Sequence, residues 1–282
     1  MSKVRNPAAS GRFYEGSEPG LRSQIEECFT HPQGPGKIPE TGKGPRKILG
    51  LVSPHAGYPY SGPVAAHGFS AVAKDGAPKT VIILGPNHSG RGVGVAIDDS
   101  DAWTTPLGEV ELNEDIVSSI AEGSEFAEIN SSAHASEHSL EVQIPFLQYF
   151  FDSDFQIVPI CMRNQSLEAS EDLGNVIGEV VTEENALILA STDLTHYETQ
   201  DTAEERDGEV IKKMKGLDWK ELSSLIVSKN YSVCGYGPVS ATMLAAKSFR
   251  AEETELFKYA TSGDTAGPTT RVVGYCSLGI FR

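Results

Sequence analysis

Polar side chains that could bind a metal or move a proton follow three apolar segments, each with the length and composition of a buried strand. These segments and the polar residues after them are ILGLVS (48–53) before His55, TVIILG (80–85) before His88, and ALILAS (186–191) before Asp193 and His196. In open α/β sheets, ligands bind beyond the carboxyl ends of the strands. One histidine in such a loop more often satisfies a local hydrogen bond, but three at equivalent positions favour a shared site.

A fourth candidate, Cys234, precedes a predicted helix that has Pro238 in its first turn. The positive end of the helix dipole favours a thiolate, which can bind a metal or act as a nucleophile, although simple packing is an equal alternative. Two imidazoles and a thiolate form a ligand set for iron, copper or zinc rather than magnesium or calcium. The other cysteines, Cys28, Cys161 and Cys276, lie within predicted helices or strands and are interpreted as packing residues.

The string at 134–138 offers a competing interpretation, because its HxxEH spacing is that of inverted zincin hydrolases. Both imidazoles could bind zinc only if a helix already included His134. A helix predicted over 137–150 would instead follow Ser136, a favoured N-cap residue, and leave His134 outside. The zinc hydrolase is therefore the less favoured alternative. The residues of this region that we expect beside the metal ligands, as supporting groups in the same crevice, are Glu137, His138 and Glu141.

A sheet must position these loops, and short apolar strands alternate with amphipathic helices from residue 48 onward. Further strands are predicted at 93–98, 155–161, 255–260 and 272–281, and helices near 19–29, 61–74, 113–122, 137–150, 167–182, 202–215, 219–229 and 238–249. Continuous apolar strands between helices indicate a sheet covered on both faces. We predict one α/β domain over 1–282 with a central mixed sheet, an irregular N-terminal arm at 1–16 and an exposed loop at 34–46.

Composition restricts the classes of partner. Of the 282 residues, 39% are hydrophobic and 22% are charged, which is typical of a globular protein. Asp and Glu outnumber Lys and Arg by 39 to 23, and the net charge of −16 argues against nucleic acid and anionic membranes as main partners. No apolar run reaches the roughly 18 residues of a membrane span, and no apolar targeting segment occurs, so we expect a cytoplasmic protein. Walker and complete dinucleotide loops are absent from the sequence, so no nucleotide cofactor is expected.

Several longer strings, in order along nearly the whole chain, match those of a known family. They are Asn6-Pro7-Ala8 with Gly11-Arg12-Phe13-Tyr14, SPHAGYPYSG (53–62), LGPNHSG (84–90), SEHSLEVQIPFLQ (136–148), STDLTH (191–196) and NYSVCGYGP (230–238). The sequence resembles the Memo family, the protein B component of the AmmeMemoRadiSam set. The resemblance implies an α/β fold similar to the catalytic subunit of class III extradiol dioxygenases, and a functional link to AMMECR-type and radical SAM proteins. It also implies a metal pocket whose ligands are His55, His88 and Cys234, completed by Asp193 and His196.

Two functions of different classes follow from this resemblance. In the first, the protein is a metal-dependent oxygenase or redox enzyme, with iron or copper favoured over zinc, that acts on a small phenolic or metal-chelating substrate. His196 would then be the general base and Asp193 would orient it or bind substrate. Dioxygenases of this type use a carboxylate as third ligand, and an oxidisable thiolate in its place means that ordinary ring cleavage is not assumed. In the second, the same pocket binds a peptide or partner protein without catalysis.

Overall fold

The computed structural model of the chain describes residues 3–181 and 186–282. Its strands are β1 (Val4–Arg5), β2 (Ile48–Ser53), β3 (Thr80–Pro86), β4 (Val95–Ile97), β5 (Ala102–Thr105), β6 (Gly108–Glu111), β7 (Ala127–Ile129), β8 (Gln156–Met162), β9 (Ala186–Ser191), β10 (His196–Glu198), β11 (Glu253–Thr261) and β12 (Val272–Phe281). Its helices are α1 (Glu18–Thr30), α2 (Tyr58–Asp75), α3 (Glu114–Gly123), α4 (Ile144–Phe151), α5 (Leu167–Val180), α6 (Gln200–Lys215), α7 (Trp219–Lys229), α8 (Tyr236–Ser248) and α9 (Ser262–Thr265). Short 3₁₀ turns span Ser131–Ala133 and Glu141–Gln143.

The larger sheet has the strand order β10-β12-β2-β9-β3-β8-β4-β7, and β11 also pairs with β12. At its centre, β2, β9, β3 and β8 are parallel, whereas β12 and β4 run antiparallel to their neighbours β2 and β8. The predicted mixed sheet is therefore confirmed. The three strands predicted to carry the functional loops are β2, β9 and β3, and they lie side by side.

Helices cover both faces of this sheet, as predicted. Along β3, Val81 and Ile83 pack in the core formed with α1, α2 and α4, whereas Ile82 and Leu84 pack in the core formed with α3, α5 and α8. All four side chains are fully buried. A shift of one residue in the strand would exchange the two sets of side chains, and so the burial of both faces fixes the position of the loop that follows β3.

Most predicted elements are present with small changes at their ends, and the differences are local. The predicted helix over 137–150 is wrong in its first part, because residues 137–140 are not helical and α4 begins only at Ile144. The predicted strand at 93–98 is reduced to β4, and position 182 of the helix predicted over 167–182 lies outside the described residues. The strands β1, β5, β6, β7 and β10 were not predicted, because segments of two to four residues show too little periodicity.

The N-terminal arm contains β1, which pairs with β5 in a small sheet of order β1-β5-β6, and residues 34–46 contain no helix or strand. Within the described ranges, no helix combines the length and apolar character needed to cross a membrane.

Candidate metal centre

Three loops converge at the carboxyl edge of the parallel strands. His55 follows β2, Asp193 follows β9 and His88 follows β3, so that neighbouring strands supply all three residues. The Asp193 carboxylate accepts a hydrogen bond from the backbone N–H of His55 at 2.8 Å and thereby joins the first two loops. The observed strand order agrees with the expectation that these side chains meet at one edge of the sheet.

The imidazoles of His55, His88 and His138 form a cluster in which one ring nitrogen of each lies within 4.8 Å of the others. The ring centroids of His55 and His88 are 5.2 Å apart, and the rings of His88 and His138 stack at 4.7 Å. His55 is buried, whereas His88 is exposed, so the cluster has an inner and an outer side. The sequence identified His138 as a supporting group, but its ring stands among the candidate ligands themselves.

The hydrogen bonds of His55 determine which of its ring nitrogens can bind a metal. The Ser191 hydroxyl donates its one proton to the carbonyl oxygen of Ser139 at 2.6 Å and accepts a hydrogen bond from Gln143. His55 Nδ1 lies 2.9 Å from the same hydroxyl oxygen and must therefore donate. In the neutral ring, Nε2 then keeps its lone pair, and this atom lies 3.3 Å from Cys234 Sγ.

Glu137 orients the outer histidines. Its buried carboxylate accepts hydrogen bonds from Nδ1 and the backbone N–H of His88, at 2.9 and 2.6 Å, and from the backbone N–H groups of His138 and Ser139, both at 3.0 Å. Burial alone would raise the pKa of Glu137, but the hydrogen bonds from His88 and Ser139 hold that pKa well below its usual range. An ionised carboxylate that fixes Nδ1–H leaves His88 Nε2 free, which is the common arrangement behind a metal-bound imidazole.

Burial keeps two members of the cluster uncharged. It lowers the pKa of His55 well below the usual value, and it lowers the pKa of His138 to about 4 although the Glu137 carboxylate opposes the shift. A metal binds only to an imidazole that has lost its proton. These two rings are therefore in the form that binds metal at neutral pH.

Cys234 lies beside the cluster, in the loop before α8. Its Sγ accepts a hydrogen bond from the backbone N–H of Asp193 at 3.2 Å. Gly235 permits this approach, because a Cβ at that position would lie 2.5 Å from the carbonyl oxygen of Ser191. Burial raises the pKa of the Cys234 thiol, and the nearby Asp193 carboxylate adds to the effect, opposite to the shift expected from the helix dipole.

His196 is held at the rim of the same site by the segment that carries Cys234. Its Nδ1 lies 2.7 Å from the carbonyl oxygen of Leu194 and 2.8 Å from that of Ser232. Because both partners are acceptors, Nδ1 carries a proton, and Nε2 of the neutral ring can accept one.

Burial raises the pKa of Asp193 to about 6, and the hydrogen bond from the His55 backbone acts in the opposite direction.

The zinc hydrolase interpretation of 134–138 is wrong, because this segment forms turns rather than a helix. His134 is buried away from the cluster, with Nε2 donating to the carbonyl oxygen of Ala96 at 3.1 Å and its ring against Trp103. Glu141 does not face the cluster either. Its carboxylate accepts hydrogen bonds from Arg5 and from other groups of the N-terminal arm.

A transition metal fits the residues that meet here. Nε2 of both His55 and His88 is the ring nitrogen that Ser191 and Glu137 leave available, and a third position can be filled by the Cys234 thiolate or by the imidazole of His138. The assignment of His55, His88 and Cys234 as the ligands stays a prediction. The supporting roles of Ser191 and Gln143 were not predicted from the sequence, where only the position of Ser191 at the end of β9 was a signal, and for Ser191 alone.

Glu137→Gln tests the orienting role of the buried carboxylate. We expect it to weaken the binding of Co²⁺ or Zn²⁺ by about 10- to 100-fold, as loss of such a partner does elsewhere. The reason is that the amide has only one oxygen that accepts, whereas both carboxylate oxygens of Glu137 accept hydrogen bonds. Competition with a chromophoric chelator measures the dissociation constant. Glu128→Gln, on the exposed side of β7, is the control. Equal affinity of both variants and the wild type would contradict the role.

His134→Gln tests the neutral state of the buried histidine. Burial lowers the pKa of His134 to about 4 from a usual 6.5, so the unfolded chain binds more protons than the folded one between these values. The free energy of unfolding therefore falls as pH drops through this range. Gln can still donate to the carbonyl oxygen of Ala96 but does not titrate. We therefore expect the substitution to reduce the slope of the unfolding free energy against pH by up to about 1.4 kcal/mol per pH unit in this range. Urea unfolding of the metal-free protein at several pH values measures this, and an unchanged slope would disprove it.

The fold and the site together define an α/β protein with a histidine and cysteine cluster at the carboxyl edge of its sheet. The family described as Memo-like protein matches residues 5–279, and the chain belongs to this family. Proteins described as MEMO1 family proteins are similar over almost their entire length. That of Methanopyrus kandleri is 45% identical over 99% of both chains, and that of Sulfurisphaera tokodaii is 45% identical over 98% of both.

A solved structure shares the fold at much lower sequence similarity. It is the crystal structure of an uncharacterized protein from Escherichia coli K12, with a TM-score of 0.52 and 12% identity. The match covers 83% of this chain and 99% of the other. At this identity the likeness concerns the fold alone.

Proposed function

We propose that the protein is a metal-dependent oxidoreductase that uses non-haem iron or copper and acts on a small metal-chelating or phenolic substrate. The observation that carries the proposal is the cluster of His55, His88 and His138 with the Cys234 thiol beside it. Nitrogen and sulfur donors suit iron, copper and zinc. The thiol beside the imidazoles supports a redox role, because it can itself be oxidised.

Each residue has a role that its hydrogen bonds support. His55 and His88 would hold the metal through Nε2, and Glu137 would fix the ring of His88. When bound, iron or copper would supply electron transfer and positions for substrate and oxygen. His196 would accept the proton of a substrate hydroxyl at Nε2, because its Nδ1 already donates to two carbonyl oxygens. Asp193 would keep the His55 loop in place through the backbone hydrogen bond.

Metal analysis combined with oxygen uptake tests the proposal. The protein is purified without oxygen, its iron, copper and zinc contents are measured, and oxygen consumption is followed with a panel of catechols. Near-stoichiometric iron or copper together with oxygen uptake supports the oxidoreductase. Stoichiometric zinc without oxygen uptake would contradict it.

The second candidate function is a binding module that uses the same crevice for a peptide or a partner protein. The same preparation distinguishes the two functions. Protein that lacks metal, does not take it up from added Fe²⁺ or Cu²⁺, and still binds peptide would replace the oxidoreductase by the binding module.

A further inference from the structure

The segment that carries Glu137 and His138 has no regular secondary structure of its own. Residues 134–140 form turns between two 3₁₀ turns. Backbone N–H groups close in sequence bond to the carbonyl oxygens of His134, His138 and Leu140, at 3.3, 3.1 and 3.2 Å, but in the described part of the chain that of Glu137 has no such backbone partner. Such buried carbonyl groups must be satisfied by other parts of the chain. The position of Glu137 and His138 therefore depends on contacts from outside the segment.

Arg5 in β1 supplies two of these contacts. Its Nε donates to the carbonyl oxygen of His134 and its Nη2 to that of Glu137, both at 2.8 Å. Its Nη1 forms a buried ion pair with Glu141 at 2.7 Å. One planar guanidinium thus contacts the start and the middle of the segment and also Glu141, the residue that follows it, a geometry that the single amine of a lysine cannot reproduce.

The guanidinium is itself fixed in place. It lies 3.9 Å from the ring centroid of Trp103, and its side chain is only 6% exposed. Glu141 in turn accepts hydrogen bonds from the backbone N–H groups of Ala8 and Ala9 and from the Tyr14 hydroxyl. Since each nitrogen of the guanidinium and each oxygen of the Glu141 carboxylate has a hydrogen-bond partner, the pair can hold a rigid geometry in the low-dielectric interior.

The same arm also reaches the face of the cluster. The ring of Phe13 stacks on that of His138 at 4.1 Å, and the Phe13 carbonyl oxygen accepts a hydrogen bond from Tyr58 at the start of α2. The N-terminal arm thus contacts this part of the chain at two places, through Arg5 and through Phe13.

We propose that Arg5 is a positioning residue of the metal centre, and that it sets the metal affinity by fixing Glu137 and His138 through the carbonyl oxygens of 134 and 137. The inference rests on the proposed function, because it presupposes that the cluster binds a metal. It extends the centre to the N-terminal arm, about 130 residues away in sequence from the groups that the arm holds.

Arg5→Met and Arg5→Lys test the inference, with Arg46→Lys as a matched control. Arg46 is similarly buried, donates to the carbonyl oxygens of Ala186 and Ile48, and pairs with Asp75, but it lies at the amino ends of β2 and β9, opposite the cluster. The dissociation constants of Co²⁺ and Zn²⁺, the visible spectrum of the Co²⁺ form and the urea midpoint are measured for the full-length protein.

We expect both Arg5 variants to bind the ions about 10- to 100-fold more weakly, with a changed Co²⁺ spectrum, whereas Arg46→Lys loses stability without either change. If Arg5→Met does not fold, Arg5→Lys decides, since it keeps the charge beside Glu141. Folded Arg5 variants with wild-type affinity and spectrum, or an equal loss in Arg46→Lys, would overturn the inference alone. Wild-type protein that binds neither of these ions nor added Fe²⁺ or Cu²⁺ would overturn the proposed function and this inference with it.

Discussion

His55→Ala is expected to weaken metal binding by more than about 100-fold, since groups that merely orient a ligand cost 10- to 100-fold. The ring is almost completely buried, its Nδ1 is fixed by Ser191, and its Nε2 is directed toward Cys234, so Ala removes a ligand that is already held in position. Chelator competition with Co²⁺ and metal analysis of the purified protein both measure the effect. Because His55 lies in a loop beyond β2, we expect the variant to remain folded.

His67→Ala is the matched control for this prediction. His67 lies in the middle of α2, and its Nε2 is 3.0 Å from the carbonyl oxygen of Gln33, away from the cluster. We expect wild-type metal content in this variant. Wild-type metal content in folded His55→Ala protein would remove His55 from the ligand set and with it the central assignment of the site.

The carboxyl edge of the sheet could be predicted from sequence because it depends on local patterns. Continuous apolar runs mark β2, β3 and β9, and parallel strands with helical connections place their carboxyl ends together. His55, His88 and Asp193 follow these runs directly. Because these strands are parallel, a residue that directly follows its own strand lies at the carboxyl edge of the sheet, whatever the order of the strands.

The segment around His138 could not be predicted in the same way. Its apolar residues indicate a helix, and Ser136 resembles an N-cap, yet residues 137–140 are held in turns. The Glu137 carboxylate binds His88, 49 residues earlier in the chain, and Arg5 binds the carbonyl oxygen of His134 from 129 residues away. These long-range hydrogen bonds outweigh local helix propensity, which contributes less than 1 kcal/mol per residue.

Cys234 illustrates a second limit. A helix terminus favours a thiolate by a modest amount, whereas removal of water from an anion is costly. The structure combines both effects, and burial raises the pKa of the thiol. Sequence alone indicates the helix terminus but not the depth of burial. A bound cation would supply the opposite charge that a buried thiolate requires.

His196→Ala is expected to keep bound metal and to lose turnover by about 10²- to 10⁴-fold, the usual contribution of a general base. The Nδ1–H of His196 donates to the carbonyl oxygens of Leu194 and Ser232. His196 is not a member of the three-histidine cluster. Metal analysis and initial rates of oxygen uptake with the best catechol of the panel measure the two effects separately. Loss of metal together with turnover would assign His196 to the ligands instead.

Cys234→Ala supplies the decisive comparison, because it separates a sulfur-containing centre from an all-nitrogen one. If the thiolate is the third ligand, this variant loses metal, and the Co²⁺ form of the wild type shows an intense sulfur-to-metal absorption that the variant lacks. If Cys234→Ala keeps metal while His138→Ala loses it, the three imidazoles within 4.8 Å of one another are the ligands. A centre emptied by His196→Ala but not by Cys234→Ala would also be all-nitrogen. Either all-nitrogen outcome would make Cys234 a bystander and would admit zinc hydrolysis as well as oxygen chemistry, since imidazole ligands suit zinc, iron and copper alike.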